Sequence, residues 1–592
     1  MSSPKIYLRA AEDLRENEGQ WDAYDSTGHC VVLAGPGSGK TKILTLKLAR
    51  MLAEDVEEPR GIACITYNNE CARELEDRLS ALGVEPSKRV FIGTVHSFSL
   101  TQIILPYAKV ARMGLPDDFQ VATRAERALA LDRAYRRIGG GPQNPQNLDF
   151  PMGTYRRSIL NRETAQWRES DPRMAALVEA FEAELRSLER IDFDDMPLLA
   201  VRALRQHDWL QRAVLAKYPI LAVDEYQDLG RALHRMVMGF CFSTGMRLFA
   251  VGDVDQSIYG FNGANPELLQ QIADRTDVET VQLRLNYRSG SRIITASTYA
   301  LGEDRGYQAA EGSPEGAVYF HPRPGGSYDQ QASYVFDTLL PAIQERLPDI
   351  GIGDVALVYP AAWIGDALAT AAAARSVAIL RTDGNSIYPR NSRLMRWIEL
   401  CAEWCCGGWR TGVPRFIRVA NEGSRFFSEE LPDEIAQLEF QRQLVQFLWD
   451  RRDATVHLRD WLESLYTELL SGLLTGARSL QDERETFLTF LDRCTDGDCS
   501  HMVLSEFAGQ SDGDHLKLTT LHSSKGREFS AVVMFGMDEG RIPRTGDSGR
   551  RLVEARRLFY VGFTRAKREV HIVYSAHNPS QFVTEVEERL IG

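Results

Sequence analysis

The 592-residue chain is too long for one hydrophobic core and divides, on length alone, into roughly three to five domains. Hydrophobic residues make up 44% and charged ones 26%, an ordinary globular balance, and no run approaches the roughly 18 uncharged apolar residues of a membrane span. The net charge of −13 argues against coating nucleic acid by bulk electrostatics, which needs clustered Lys and Arg, but leaves room for a local basic channel.

Met1-Ser2-Ser3-Pro4-Lys5 leads into charged residues without a signal-peptide core, so the cytoplasm is the expected compartment and no membrane partner is expected. Nine cysteines without a regular framework agree with a reducing environment. Cys401, Cys405, Cys406, Cys494, Cys499 and His501 contain no Cys-x-x-Cys pair, and thiols without metal are the expectation there.

In chain order, the first strong signal is a buried strand, Cys30-Val31-Val32-Leu33-Ala34, then a Gly-rich loop, Gly35-Pro36-Gly37-Ser38-Gly39-Lys40-Thr41, then a helix that is apolar at helical spacing from Lys42 to Leu52. Strand, loop and helix together fit a phosphate-binding loop. Its glycines let backbone N–H groups converge on phosphates, and the helix N-terminus adds partial positive charge. Lys40 is expected to reach the outer phosphates, the Thr41 hydroxyl to ligate Mg²⁺, and Lys42 to belong to the same site.

An insert at about 101–190 is amphipathic at helical spacing over Ala122–Leu131 and Met174–Phe181, with a loop at Gly139-Gly140-Gly141-Pro142. Ile191-Asp192-Phe193-Asp194-Asp195-Met196 follows, and a structural role at a domain junction is expected for its aspartates rather than metal. Ile220-Leu221-Ala222-Val223 is a second buried strand, ending in Asp224 and Glu225 where strand ends present ligand groups. Asp224 would hold Mg²⁺; Glu225, beside the metal, would orient and deprotonate the attacking water, so the pair with the loop implies metal-assisted hydrolysis of a nucleoside triphosphate. A third strand, Arg247 to Gly252, runs into Asp253 and on to Gln256-Ser257-Ile258-Tyr259-Gly260-Phe261-Asn262. Gln256 suits a γ-phosphate reporter, and the aromatics suit stacking on bases.

From here the chain resembles the UvrD/Rep/PcrA-like superfamily 1 DNA helicases, through motifs in the same order from Gln20 to Lys567. The resemblance implies an adenine-reading Gln20, and single-stranded DNA contacts from Tyr67, Asn68, Asn69, Thr94, His96, Tyr259, Phe261, Asn262, Thr520, His522 and Ser523. In Asn286-Tyr287-Arg288-Ser289 it implies that Tyr287 stacks on adenine and Arg288 acts as an arginine finger. Glu528 is implied at the ribose and Arg565 at the γ-phosphate. Because Arg288 and Arg565 lie far downstream of Lys40, both are expected to reach the nucleotide from a second domain, closing a cleft when nucleotide binds.

The implied fold is α/β, with two RecA-like P-loop NTPase motor domains, each carrying a mainly helical insertion. Motor domain 1A is expected at 1–100 and 191–282, insertion 1B at 101–190, motor domain 2A at 283–385 and 512–592, and a shortened insertion 2B at 386–511. Trp404, Trp409, Trp449 and Trp461 of the second insert are expected in its core. The resemblance implies ATP and Mg²⁺ as cofactors, single-stranded DNA and single-strand/duplex junctions as partners, and 3′ to 5′ movement.

Three departures qualify it. Asn262 stands where the family usually has Arg, Glu70 where it has Lys, and the second insert lacks the Gly-Ile-Gly duplex-contacting motif. The chain also stops soon after Ser580-Gln581-Phe582 without a fused nuclease, so any nuclease is expected to be another polypeptide. The alternative function is a DNA-sensing ATPase subunit that regulates a partner nuclease in a bacterial defence or repair complex.

Overall fold

The computed structural model describes residues 6–84, 89–508 and 515–591, with the side chains of Glu70 and Asn262 outside the description. The chain divides into two compact units, Met1–Glu315 with Ser548–Tyr560, and Gly316–Asp547 with Val561–Gly592.

The first unit is built on a six-stranded parallel sheet. Its strands are β1 (His29–Ala34), β2 (Ile62–Thr66), β3 (Val90–Thr94), β4 (Ile220–Val223), β5 (Arg247–Gly252) and β6 (Val278–Leu283), in the order β3-β2-β4-β5-β1-β6. Alternate residues feed opposite faces. Val31, Ile65, Leu221, Val223 and Leu248 pack beneath the helices Asp195–Gln206 and Arg231–Phe242, while Val32, Cys64, Ala222 and Val251 pack against Ile43 and Leu44 of the helix Lys40–Arg50. Burial on both faces explains why β2 and β4 read as unbroken apolar runs. The order places β4, β5 and β1 side by side, so the three loops leaving their carboxyl ends share one rim.

The first insertion has its own small core, in which Leu131, Trp167 and Phe181 are buried among helices that include Arg124–Arg137 and Pro172–Ser187. A parallel pair, Gln120–Val121 with Arg190–Ile191, ties its two ends together. At this neck Arg156 is fully buried and bonds Asp192 at 2.7 and 3.0 Å and Asp195 at 2.7 Å; burying such charges requires this pairing. These aspartates therefore brace the junction.

The second unit carries another six-stranded parallel sheet. Its strands are β7 (Ala317–Arg323), β8 (Val355–Tyr359), β9 (Ile379–Arg381), β10 (Leu516–Thr520), β11 (Phe529–Phe535) and β12 (Ala566–Ser575), ordered β7-β12-β11-β8-β10-β9. At its edge a chain of contacts runs from Tyr334 to His321 (3.0 Å), to His571 (3.1 Å), to Glu569 (2.9 Å) and to Arg346 (3.0 Å). The helical insertion between β9 and β10 buries Trp397, Trp404 and Trp461. Trp409 packs at the margin of that core, and Trp449 departs from the expectation. Trp449 is 48% exposed in the last turn of the helix Glu434–Asp450, where the Arg452 guanidinium covers its ring at 3.5 Å.

The division at Glu315 also differs from the expected start of the second motor domain at 283. Residues 284–315 stay with the first unit: Tyr287 N–H donates to the Gly37 carbonyl at 2.8 Å, Arg305 donates to Asp255 through two bonds of 2.9 Å, and Leu285–Asn286 pairs in parallel with Gln308–Ala309 within the segment. Residues 548–560 join the same unit, where the Glu554 carboxylate accepts from Gly260 N–H at 2.8 Å.

Candidate active site and nucleic-acid interface

The loop after β1 is shaped by its glycines and by what presses on them. Gly37 and Gly39 have φ of +67° and +86°, which L side chains rarely adopt. A Cβ on Gly37 would lie 2.4 Å from Asn286 Oδ1, and one on Gly35 would lie 2.4 Å from the Tyr307 ring. Ser38 Oγ donates to the Gly35 carbonyl at 2.7 Å, closing the turn. The N–H groups of residues 37–41 donate to no acceptor among the described residues, and the helix Lys40–Arg50 starts at that point. A row of convergent donors at a helix N-terminus suits the phosphates of a nucleotide. Lys40 Nζ donates to the carbonyls of Ala34 and Gly35 at 3.1 and 3.2 Å and lies 3.6 Å from Asp253.

The neighbouring strand ends bring carboxylates to the same rim. Asp224 is 5% exposed, and burial, followed by the charge of Glu225, pushes its carboxyl up to about 7. A buried carboxyl of this kind is suited to a divalent cation, which would draw the proton off. Glu225 sits in the left-handed region at φ 48°, ψ 47°, an uncommon conformation for a residue with a side chain. Gln227 Nε2 donates to the Glu225 carboxylate, and Gln227 Oε1 accepts from Asp253 N–H at 2.9 Å. Gln256 Nε2 in turn donates to Asp253 Oδ2 at 2.8 Å. Glu225, Gln256 and Lys40 are thus linked through Gln227 and Asp253.

Several expected positions behave differently. Gln20 is 4% exposed and its Nε2 donates to the Ser38 carbonyl at 2.9 Å, so its amide braces the loop. Lys42 lies one residue further round the helix and pairs at the surface with Asp13 at 3.4 Å. Arg288 belongs to the same unit as Lys40, contrary to the expectation of a second-domain residue: its N–H donates to Asn286 Oδ1 at 2.8 Å, and its Cβ would lie 2.7 Å from a Cβ on Gly37. Tyr287 is 50% exposed, and its hydroxyl accepts from Asn17 Nδ2 at 2.9 Å.

In the second unit, Arg565 is 1% exposed. Its guanidinium donates to the Val561 carbonyl at 3.1 Å and the Thr564 hydroxyl at 2.8 Å, so in this structure it braces its own unit. Glu528 pairs with Lys567 at 3.4 Å.

On the nucleic-acid side, Tyr67 after β2 and Tyr259 after β5 stack at 4.7 Å with planes 18° apart, and Phe261, 46% exposed, meets Tyr259 edge-on at 6.0 Å. Asn68 caps the helix Asn69–Ala81 through Cys71 N–H at 2.8 Å, and Thr94 caps the next through Ser97 N–H at 3.2 Å. His96 stacks on Phe193 at 3.8 Å, and burial pushes its imidazole down to about 4. In the second unit the Thr520 hydroxyl donates to Ser523 Oγ at 3.0 Å, and burial lowers His522 to about 4. The Asn262 side chain lies outside the described residues.

Sequence reasoning missed Gln227, Asn286, Arg305 and Tyr307. Arg305 holds Asp255 through two bonds of 2.9 Å. Among the described residues no group of three or more His, Cys, Asp and Glu is placed to hold a metal, and no helix is long and apolar enough to cross a membrane.

Residues 16–277 match the UvrD/REP helicase N-terminal domain and residues 475–577 the UvrD-like helicase C-terminal domain. Among curated proteins, the chain is 27% identical to ATP-dependent DNA helicase Rep of Escherichia coli K12, over 94% of this chain and 90% of that protein. It is 25% identical to DNA helicase II of the same organism, covering 95% and 86%, and 25% identical to ATP-dependent DNA helicase PcrA of Leuconostoc citreum, covering 97% and 85%.

Proposed function

The chain belongs to the UvrD/Rep-like superfamily 1 helicases and is an ATP-dependent DNA helicase, a hydrolase; from that premise we propose that it moves 3′ to 5′ along single-stranded DNA, one nucleotide cycle per advance. The observation that carries this reading is the loop after β5. Gln256 hangs on Asp253 beside Lys40, and three residues later Tyr259 stacks on Tyr67, so one short segment joins the phosphate side to the base side. A change at the γ-phosphate that moves Gln256 moves the stacking platform with it.

In this reading the 37–41 N–H groups and Lys40 hold the phosphates and neutralise charge on the transferring group. Glu225, aimed by Gln227, takes the proton of the attacking water. Thr41 and Asp224 would hold Mg²⁺, which supplies further charge neutralisation when bound. Tyr287 offers an exposed face for adenine, and Arg288 lies against Gly37 of the phosphate loop. Nine free thiols support a reducing, cytoplasmic setting.

A second reading, a DNA-sensing ATPase that controls a partner such as a nuclease, draws on the second insertion. Ile435, Leu438 and Trp449 of the helix Glu434–Asp450 are 76%, 61% and 48% exposed, apolar surface that a protein partner would cover. ATP turnover with and without single-stranded DNA, followed by displacement of an oligonucleotide from 3′-tailed and 5′-tailed duplexes, separates the readings. DNA-stimulated turnover with displacement only from the 3′ tail is the expected result. Stimulation without displacement favours the partnered ATPase, and turnover indifferent to DNA would sink the translocation reading.

A further inference from the structure

A cavity of about 440 Å³ opens in the first unit beside the loop that carries Tyr259. It is lined by Arg157, Arg231, Arg550 and Arg557, with Ser158 and Gly260 on its walls. Four arginines in one cavity reverse the sign of a chain whose net charge is −13. Two of the four are balanced: Arg157 Nη1 lies 3.0 and 3.1 Å from the Asp194 carboxylate oxygens, and Arg550 lies 3.2 Å from Glu267.

The other two have no acidic partner. Among the described residues Arg231 donates only to the Ser158 carbonyl, at 3.0 Å, and the half-buried Arg557 makes no hydrogen bond or ion pair. The remaining carboxylate, Glu554, accepts from Gly260 N–H. A half-buried guanidinium facing a cavity without a counter-ion favours an anion, and its planar fork matches the oxygens of a phosphate.

We propose that this cavity binds a phosphodiester of single-stranded DNA, the backbone group adjoining the nucleotide whose base stacks at Tyr259. The inference rests on the reading of the chain as a DNA-binding motor and adds to it a phosphate site formed by Arg231 and Arg557. Gly260 is the residue after Tyr259, so a strand whose base meets the tyrosine pair has its backbone within reach of the cavity mouth. The stack supplies sequence-tolerant affinity, and the two arginines supply the salt-dependent part.

The test uses the full chain, a fluorescent oligothymidylate and a salt series, with nucleotide affinity in the absence of DNA and the thermal midpoint as controls. Arg557→Ala and Arg231→Gln should each bind about tenfold more weakly at moderate salt and reduce the slope of log Kd against log salt by about one. Arg557→Lys should keep the slope. Unchanged affinity and slope in both variants, with nucleotide binding intact, would overturn the phosphate site and leave the motor reading standing. Failure of the unsubstituted chain to bind the oligonucleotide would overturn both. Because Arg231 is exposed, Arg231→Gln keeps the test decisive if Arg557→Ala does not fold.

Discussion

In the proposed mechanism Lys40 holds the nucleotide and Glu225 turns it over, and their substitutions should separate along that line. Lys40→Ala removes the charge aimed at the outer phosphates and should lower ATP turnover about a thousandfold. Glu225→Gln keeps the shape but not the proton acceptor. Turnover should fall at least a hundredfold with nucleotide affinity unchanged, which single-turnover hydrolysis and a fluorescent nucleotide titration together will show. Persistent DNA-stimulated turnover in Glu225→Gln would mean that another group takes the proton. Gly37→Ala tests the loop itself. Its Cβ would meet Asn286 Oδ1 at 2.4 Å on a backbone at φ +67°, so stability should drop by about 1–3 kcal/mol in denaturant titration along with nucleotide binding. Lys40, Asp224 and Glu225 were legible in the sequence because each ends a local strand-to-loop pattern. Asn286 and Tyr307 were not, since what gives them meaning is a glycine about 250 to 270 positions earlier, and no local period records such a contact.

Among the elements, the loop that follows β5 matters most. Tyr259→Ala should weaken single-stranded DNA binding by about 1–3 kcal/mol while basal ATP turnover persists, and Tyr259→Phe, which keeps the ring, should restore most of it. Equal loss in both variants would point to the hydroxyl and against stacking. Three of the six parallel strands of the first unit, β1, β4 and β5, were readable from apolar runs, and the helical character of both insertions was readable as well. The boundary near 283 was not. Residues 284–315 are kept with the first unit by Tyr287 on Gly37 and Arg305 on Asp255, both tertiary contacts that no local pattern records. Trp449 was misread for a related reason: its helix is amphipathic, but the last turn extends past the core and the ring is covered by Arg452 instead.

For the molecule as a whole, pH should act through its neutral buried histidines. Burial pushes His96, His234 and His522 down to about 4 and His321 to about 3. A histidine whose folded value lies below its unfolded one favours folding above about 6.5, and that stability is lost as pH falls toward the folded value, at about 1.4 kcal/mol per pH unit for each group. The thermal midpoint should therefore drop from pH 7 to pH 5, and His96→Phe, which can keep the ring contact with Phe193, should flatten the slope. Asp224 acts in the opposite sense, since its raised carboxyl favours the fold at low pH and loses that contribution as pH rises toward about 7.

The strained backbone at Glu225 carries a consequence for anyone who breeds this protein for hardiness. A glycine there relieves the left-handed conformation by roughly 1 kcal/mol and removes the negative charge that burdens Asp224, so Glu225→Gly should melt later than its parent while hydrolysing no ATP. Selection for heat resistance alone would drift toward such inert survivors. A campaign that scores motion on DNA beside melting would discard them, and the gap between the two rankings would measure how much robustness the working motor gives up at a single residue.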